Sequence, residues 1–204
     1  MINNKHIAIV AVILLLLIFF NGNPRPKVEA LKDDSVILAF GDSLTYGTGA
    51  SQTENYPTYL QQILGIKVVA SGIPGELSQR GLSRLPEVLK EVKPDLTILC
   101  HGGNDILQNS SLDKLKQNLN QMIRMIKASG SDVILIGVPQ KNLMLSPPGL
   151  YQELADEHKL PYLDDLISGI MVKRTLKSDS VHPNAAGYKV IAEKLAKLIN
   201  EIQR

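Results

Sequence analysis

The sequence predicts an α/β fold, namely a flavodoxin-like three-layer α/β/α sandwich built on a five-stranded parallel sheet with the strand order 2-1-3-4-5. Beyond residue 30, short apolar runs alternate with longer segments whose apolar residues recur at helical spacing. That alternation is typical of a parallel sheet covered by helices on both faces. The 204 residues, 44% of them hydrophobic, suit one domain with a full core. Because crossover connections are right-handed, the carboxyl ends of all strands should meet at one edge, where we expect the functional site.

Each predicted strand is a short apolar run that ends at a turn signal. The first covers residues 36–40 and breaks into Gly41, Asp42 and Ser43. The later strands are predicted at 67–70, 96–100, 133–138 and 162–163.

Helices are predicted where apolar residues recur three or four positions apart. The strongest pattern covers 112–128, and the others cover 55–64, 77–92, 150–158, 164–171 and 184–202. Residues 139–149 contain three prolines and are predicted to form a loop, which is long enough to suggest a role in substrate binding.

The first 30 residues have a different composition from the rest. Lys5 precedes fourteen apolar residues at 7–20, and small residues suited to a cleavage site end at Ala30. This layout predicts a signal peptide over residues 1–30, cleaved after Ala30, because a membrane-spanning helix needs about 20 apolar residues. An uncleaved N-terminal membrane anchor through 7–20 is the alternative. Either way, residues 31–204 form the predicted domain, exported to the periplasm or the extracellular space.

Charge and cysteine content exclude some classes of partner and structure. Without residues 1–30 the chain has 19 basic and 19 acidic residues, so no basic face for nucleic acid is expected. The single cysteine, Cys100, excludes an internal disulfide. It lies in an apolar run and is interpreted as a small buried hydrophobe.

The turn after the first strand contains a candidate nucleophile. A tight turn at Gly41-Asp42-Ser43 would lift Ser43 out of the carboxyl edge of the sheet at the start of a helix. Backbone N–H groups at that point can face a developing negative charge. The alternative is an ordinary strand exit in which Asp42 or Ser43 caps the next helix.

A second candidate segment precedes the last helix. A nucleophilic serine needs a base, and the base needs an acceptor on its far nitrogen. Asp179 and His182 are three residues apart in one turn and can supply both groups. Pro183 would fix this turn, and Asn184 could cap the closing helix.

Two further loops at the same edge contain candidate oxyanion donors. Asn104 follows the third strand and could donate to an oxyanion or simply cap a turn. Gly72 and Gly75 follow the second strand, where glycine allows a backbone N–H to approach a ligand closely. His101, beside the Gly102-Gly103 turn, could also line the site.

Taken together, four motifs resemble those of the GDSL, or SGNH, hydrolases in order and spacing, over residues 35–202. The chain is most similar to the branch of secreted lysophospholipases, thioesterases and arylesterases. The motifs are Gly41-Asp42-Ser43-Leu44, Gly75 followed by the run at 78–86, Gly102-Gly103-Asn104-Asp105, and Asp179 with His182-Pro183-Asn184.

The resemblance implies a role for each matching residue. Ser43 would be the nucleophile, His182 the general base and later acid, and Asp179 its orienting carboxylate. The oxyanion hole would consist of the Ser43 N–H, the Gly75 N–H and the Asn104 side chain. Gly75 is preferred to Gly72 because of its position before the run at 78–86.

The function implied is that of a serine esterase. It would hydrolyse carboxylic ester or thioester bonds of acyl esters or lysophospholipids through an acyl-enzyme, with no metal or organic cofactor. No G-x-S-x-G motif occurs, which argues against an ordinary α/β-hydrolase fold. Two alternatives remain: an extracytoplasmic carbohydrate O-deacetylase, for which 4% aromatic residues offer little sugar stacking, and a non-catalytic binding module on the same fold.

Overall fold

The computed structural model describes residues 26–140 and 145–203 and contains one five-stranded sheet. Its strands are all parallel and lie in the order β2-β1-β3-β4-β5, which confirms the predicted order. The strands are β1 (Val36–Gly41), β2 (Lys67–Gly72), β3 (Leu96–Cys100), β4 (Asp132–Ile136) and β5 (Tyr162–Leu163).

Helices connect the strands and close the chain. They are α1 (Ser43–Tyr46), α2 (Tyr56–Leu64), α3 (Ser78–Val92), α4 (Gly103–Leu107), α5 (Leu112–Ala128), α6 (Leu150–His158), α7 (Leu166–Met171) and α8 (Ala185–Ile202), with a 3₁₀ turn at Arg174–Leu176. The sequence pattern missed α4 and the 3₁₀ turn, because elements this short contain no complete hydrophobic repeat.

Strand β4 ends two residues earlier than predicted. Its neighbour β5 has only two residues, which pair with Leu135 and Ile136. The Gly137 N–H makes one last bond to the Leu163 carbonyl at 2.9 Å, and then no partner strand continues. Conversely, β2 extends beyond its predicted end because its pairing with β1 continues to Gly72.

The core lies on both faces of the central strands. Every residue of β3 is buried, including Cys100 at 1% exposure, which confirms its interpretation as a buried hydrophobe. The buried faces of α5 and α8 contribute mostly aliphatic side chains to this core, and burial of such surface is the main source of stability.

The register aligns the carboxyl ends of three strands. Gly41 of β1 pairs with Gly72 of β2 on one side and with Cys100 of β3 on the other. A Cβ on Gly41 would lie 2.0 Å from the Cys100 carbonyl oxygen, so only glycine fits where these strands end. The segments after β1, β2 and β3 therefore leave the sheet side by side.

Residues 27–31 pack against the end of the chain. Val28 is 2% exposed, and its N–H donates to the Ile202 carbonyl at 3.1 Å. The Leu31 N–H donates to the Gln203 side chain at 2.8 Å. Cleavage after Ala30 would remove the Val28 contacts.

The predicted apolar run at 7–20 lies outside the described residues. Within 26–140 and 145–203, none of the helices combines the length and apolar character that a bilayer crossing requires.

Candidate active site

Ser43 begins α1 in a turn that Asp42 holds. One Asp42 oxygen accepts the Leu44 N–H, and the other accepts the Gly103 N–H, both at 3.2 Å. Asp42 therefore caps α1, as the alternative interpretation of this turn expected, and also fixes the turn to the exit of β3. Burial raises the pKa of the Asp42 carboxyl, although the nearby His101 ring and these N–H donors act to lower it.

His182 lies within hydrogen-bond distance of Ser43, 139 positions away in the chain. Its Nε2 is 3.1 Å from the Ser43 Oγ, and its Nδ1 is 2.8 Å from an Asp179 carboxylate oxygen. The loop is held locally, because the Ser178 N–H donates to the His182 carbonyl at 2.9 Å. Asn184 caps α8 through the Gly187 N–H at 3.0 Å, as the sequence predicted.

Asp179 is oriented by the backbone of its own loop. Its Oδ1 accepts the N–H groups of Val181 at 2.8 Å and His182 at 2.9 Å, which leaves Oδ2 directed at the imidazole. Burial acts to raise the pKa of the Asp179 carboxyl, but the His182 hydrogen bond and the two backbone donors lower it below its usual value. An ionised Asp179 requires a proton on Nδ1, so Nε2 is left to accept from the Ser43 hydroxyl.

Asn104 lines the same pocket as Ser43 and His182. It lies in the first turn of α4, and its Nδ2 donates to the Glu76 carbonyl at 3.0 Å. The next residue, Asp105, is buried and accepts both the N–H and the hydroxyl of Ser78, which fixes α4 to the start of α3.

Gly75 lies in the adjacent groove and is absent from the described lining of the Ser43 pocket. Its φ of +78° and the 3.2 Å bond from the Glu76 N–H to the Ile73 carbonyl match a type II turn with Pro74 and Gly75 at its centre. Gly75 immediately precedes the carbonyl that Asn104 contacts. Gly72, by contrast, is the last residue of β2, packed against the Tyr46 N–H group.

His101 is fully buried and lies behind this pocket. Its Nε2 is 3.2 Å from a Glu76 carboxylate oxygen, and its Nδ1 accepts the Gly102 N–H at 2.9 Å. The sequence left open whether His101 lines the site, and within the described residues it contacts the loop of Gly75 instead.

The pocket at Ser43 has about 580 Å³ of empty space, part of which is open solvent. Most of its remaining lining is aliphatic, and residues from the predicted 139–149 loop contribute. The apolar lining residues are Leu44, Leu107, Val138, Pro139, Leu145, Ile167, Met171 and Val181.

Two residues beside the site, Glu76 and Arg84, were not predicted from the sequence. They form an ion pair at 2.8 Å although one lies in a loop and the other two turns along α3. No spacing rule pairs residues in this way, because the contact depends on how the loop folds back over the helix. Within 26–140 and 145–203, no group of three or more His, Cys, Asp or Glu side chains is arranged to hold a metal ion.

Comparison with known proteins shows similarity over most of the chain. The model of the GDSL-like Lipase/Acylhydrolase family matches residues 39–190. The thioesterase 1/protease 1/lysophospholipase L1 of Escherichia coli (strain K12) is 30% identical over 176 residues, which cover 81% of this chain and 84% of that protein. An arylesterase of Vibrio mimicus is 28% identical over 171 residues, or 78% of this chain and 86% of that protein. A crystal structure of TesA superposes with a TM-score of 0.72 and 26% identity, covering 82% of this chain and 99% of that chain.

Proposed function

Since this chain belongs to the GDSL-like lipase/acylhydrolase family, whose members hydrolyse esters, we propose that it is a serine esterase with Ser43 as its nucleophile. His182 is its general base, and Asp179 orients the imidazole. The observation that carries the proposal is the continuous chain of contacts from the Ser43 hydroxyl through His182 to Asp179, at 3.1 and 2.8 Å. Such a chain is what activation of a serine hydroxyl requires.

The proposed reaction has two half-reactions. The Ser43 Oγ attacks the ester carbonyl while its proton moves to His182 Nε2, and the tetrahedral intermediate forms. The C–O or C–S bond to the leaving group then breaks, and His182 returns the proton to that group. Water repeats the sequence on the acyl-enzyme and releases the carboxylic acid, with Ser43 protonated again.

Three donors are proposed to stabilise the intermediate: the Ser43 N–H, the Gly75 N–H and the Asn104 Nδ2. Asn104 is supported by its position in the Ser43 pocket. Gly75 is supported by its place in the turn that Asn104 contacts, one residue before Glu76. Pre-positioned donors of this kind lower the barrier because they need no reorganisation as charge develops.

The pocket favours an acyl chain as the occupant beside the nucleophile. Its aliphatic lining can bury methylene groups, each worth about 0.8 kcal/mol. We therefore propose acyl esters, acyl thioesters or lysophospholipids as substrates, in agreement with the names of the thioesterase and lysophospholipase relative. A carbohydrate O-deacetylase is less well supported, because none of the described residues lining this pocket is Phe, Tyr or Trp.

We also propose that the domain acts outside the cytoplasm. The support is the composition of residues 1–30, which fits a signal peptide or a membrane anchor.

Turnover of a p-nitrophenyl short-chain ester tests the nucleophile. Ser43→Ala should abolish turnover, whereas Ser129→Ala, a matched change at an exposed position after α5 and outside this pocket, should retain it. Activity in the Ser43 variant equal to that of the wild type would refute the assignment. A panel of acyl esters of increasing length, lysophospholipids, acyl-thioesters and acetylated sugars then separates the substrate classes, and a preference for acetylated sugars would favour the deacetylase.

A further inference from the structure

A buried polar cluster lies between the ends of β1, β2 and β3, behind the proposed oxyanion hole. It consists of Arg84, Glu76 and His101, whose side chains are 19%, 4% and 0% exposed. We refer to these three residues as the Arg84 cluster. The proposed mechanism uses none of them, and burying charged groups is costly unless they are paired.

Arg84 joins the exits of two strands to the loop of Gly75. Its guanidinium donates to the Gly41 carbonyl at 3.1 Å and to the carbonyl and hydroxyl of Ser71 at 3.1 and 2.6 Å. It also makes forked contacts of 2.8 to 3.0 Å with the Glu76 carboxylate. The guanidinium lies 4.1 Å from the centre of the Phe40 ring, which restricts its position further.

Glu76 connects this cation to the proposed oxyanion donors. Its carbonyl accepts the Asn104 Nδ2 at 3.0 Å, and its N–H closes the turn at Gly75. Its carboxylate is anchored from the other side by Arg84 and His101. The main-chain position of Glu76 therefore affects both Gly75 and Asn104.

His101 completes the support from β3. Because its Nδ1 accepts the Gly102 N–H, the ring proton lies on Nε2, which donates to Glu76. Helix α3 leaves room for the His101 ring because residue 81 is glycine. A Cβ atom at this position would clash with the ring at Nε2. Burial acts to raise the pKa of the Glu76 carboxyl, but the bonds from His101 and Arg84 lower it, so the carboxylate is ionised.

We propose that Arg84 and Glu76 are positioning residues that hold the Gly75 turn and the Asn104 side chain in the geometry needed to bind the oxyanion. This inference rests on the proposed function, because it assigns the cluster a task in the same reaction. Lysine cannot replace Arg84, since an ammonium lacks the planar fork that contacts Glu76, Ser71 and Gly41 together.

Steady-state kinetics of Arg84→Lys and Glu76→Gln test the proposal. A displacement of the donors by about 1 Å can lower the rate of the chemical step roughly 10²-fold. We therefore expect kcat to fall by about 10- to 100-fold in each variant. KM should change little, because the donors act mainly on the transition state. Arg124→Lys and Glu91→Gln, at exposed helix positions, are the matched controls and should retain wild-type kcat.

A double-mutant cycle separates positioning from general structural support. If Arg84 acts through Asn104, Arg84→Lys should cost much less in an Asn104→Ala background than in the wild type. An equal loss in both backgrounds, or an unchanged kcat in the single variant, overturns the inference. If circular dichroism shows that Arg84→Lys is unfolded, Glu76→Gln replaces it in the same cycle, with the same two outcomes. A folded wild type with no esterase activity would instead overturn the proposed function and this inference with it.

Discussion

Asp179→Asn is the substitution whose effect the geometry defines most sharply. Two backbone N–H groups, of Val181 and His182, point at one side-chain oxygen of Asp179 at 2.8 and 2.9 Å. In the variant, the amide oxygen must take that place, because an NH₂ group would face two donors. The NH₂ group then faces His182 Nδ1, now as a donor. The imidazole must present an unprotonated Nδ1, which moves its proton to Nε2.

A proton on Nε2 prevents His182 from accepting the Ser43 hydroxyl proton. In a fully buried triad the same reversal costs about 10⁴-fold in kcat, or roughly 5.5 kcal/mol of barrier. Here the Asp179 side chain is 51% exposed, so water can reach the pair and compete for these bonds. We therefore expect a smaller loss of kcat, about 10²- to 10³-fold.

Comparing kcat for the p-nitrophenyl ester in the Asn and Ala variants of Asp179 checks this reasoning. Alanine removes the carboxylate without imposing the wrong tautomer, so Asp179→Ala should be at least as active as Asp179→Asn. Asp33→Asn, at an exposed position before β1 and thus at the opposite end of the sheet, is the control. An Asn variant within a few-fold of wild type, or one clearly faster than the Ala variant, would refute the tautomer argument.

Three further predictions follow from the site and from the N-terminal contacts. Asn104→Ala should lower kcat by about 10²- to 10³-fold with little change in KM. An effect confined to KM would show that Asn104 binds the substrate without stabilising the transition state. The interaction of the Asp179 carboxylate with His182 should stabilise the fold at neutral pH and be lost only in acid, as the pH falls through the lowered pKa of Asp179. A urea unfolding midpoint that falls equally in the wild type and in Asp179→Asn as the pH is lowered into the acid range would contradict this expectation. A chain comprising 31–204 should have a free energy of unfolding about 1–3 kcal/mol lower than one comprising 26–204, because it lacks the buried Val28. It should therefore unfold at a lower urea concentration. Equal unfolding midpoints would show that residues 26–30 add no stability.

The sequence predicts the sheet well because its signal is local and repeated. Apolar runs alternating with helical patterns determine a parallel sheet, and right-handed connections then limit the strand order. The same reasoning predicts that Ser43, Asn104 and the loop of His182 lie at the carboxyl edge of the sheet. Ser43 and Asn104 each follow the carboxyl end of a strand, and the loop of His182 precedes the last helix at the same edge. The structure brings these residues to a single pocket.

The contacts that sequence patterns did not predict are those made through loops and side-chain ends. Arg84 reaches Glu76 eight residues earlier only because the turn at Gly75 folds back over α3. Gly75 has no described place in the Ser43 pocket, although its motif predicts a role there. Helix α4 is too short to contain a periodic pattern, and the early end of β4 depends on the length of its neighbour.

Labelling by a fluorophosphonate probe, with the modified peptide identified by mass spectrometry, tests the central claim most directly. We expect one covalent adduct, on Ser43, formed by the wild type and strongly reduced in His182→Ala. Folded wild-type protein that takes up no probe would favour a binding module without catalysis, and an adduct on a different serine would contradict the assignment of Ser43.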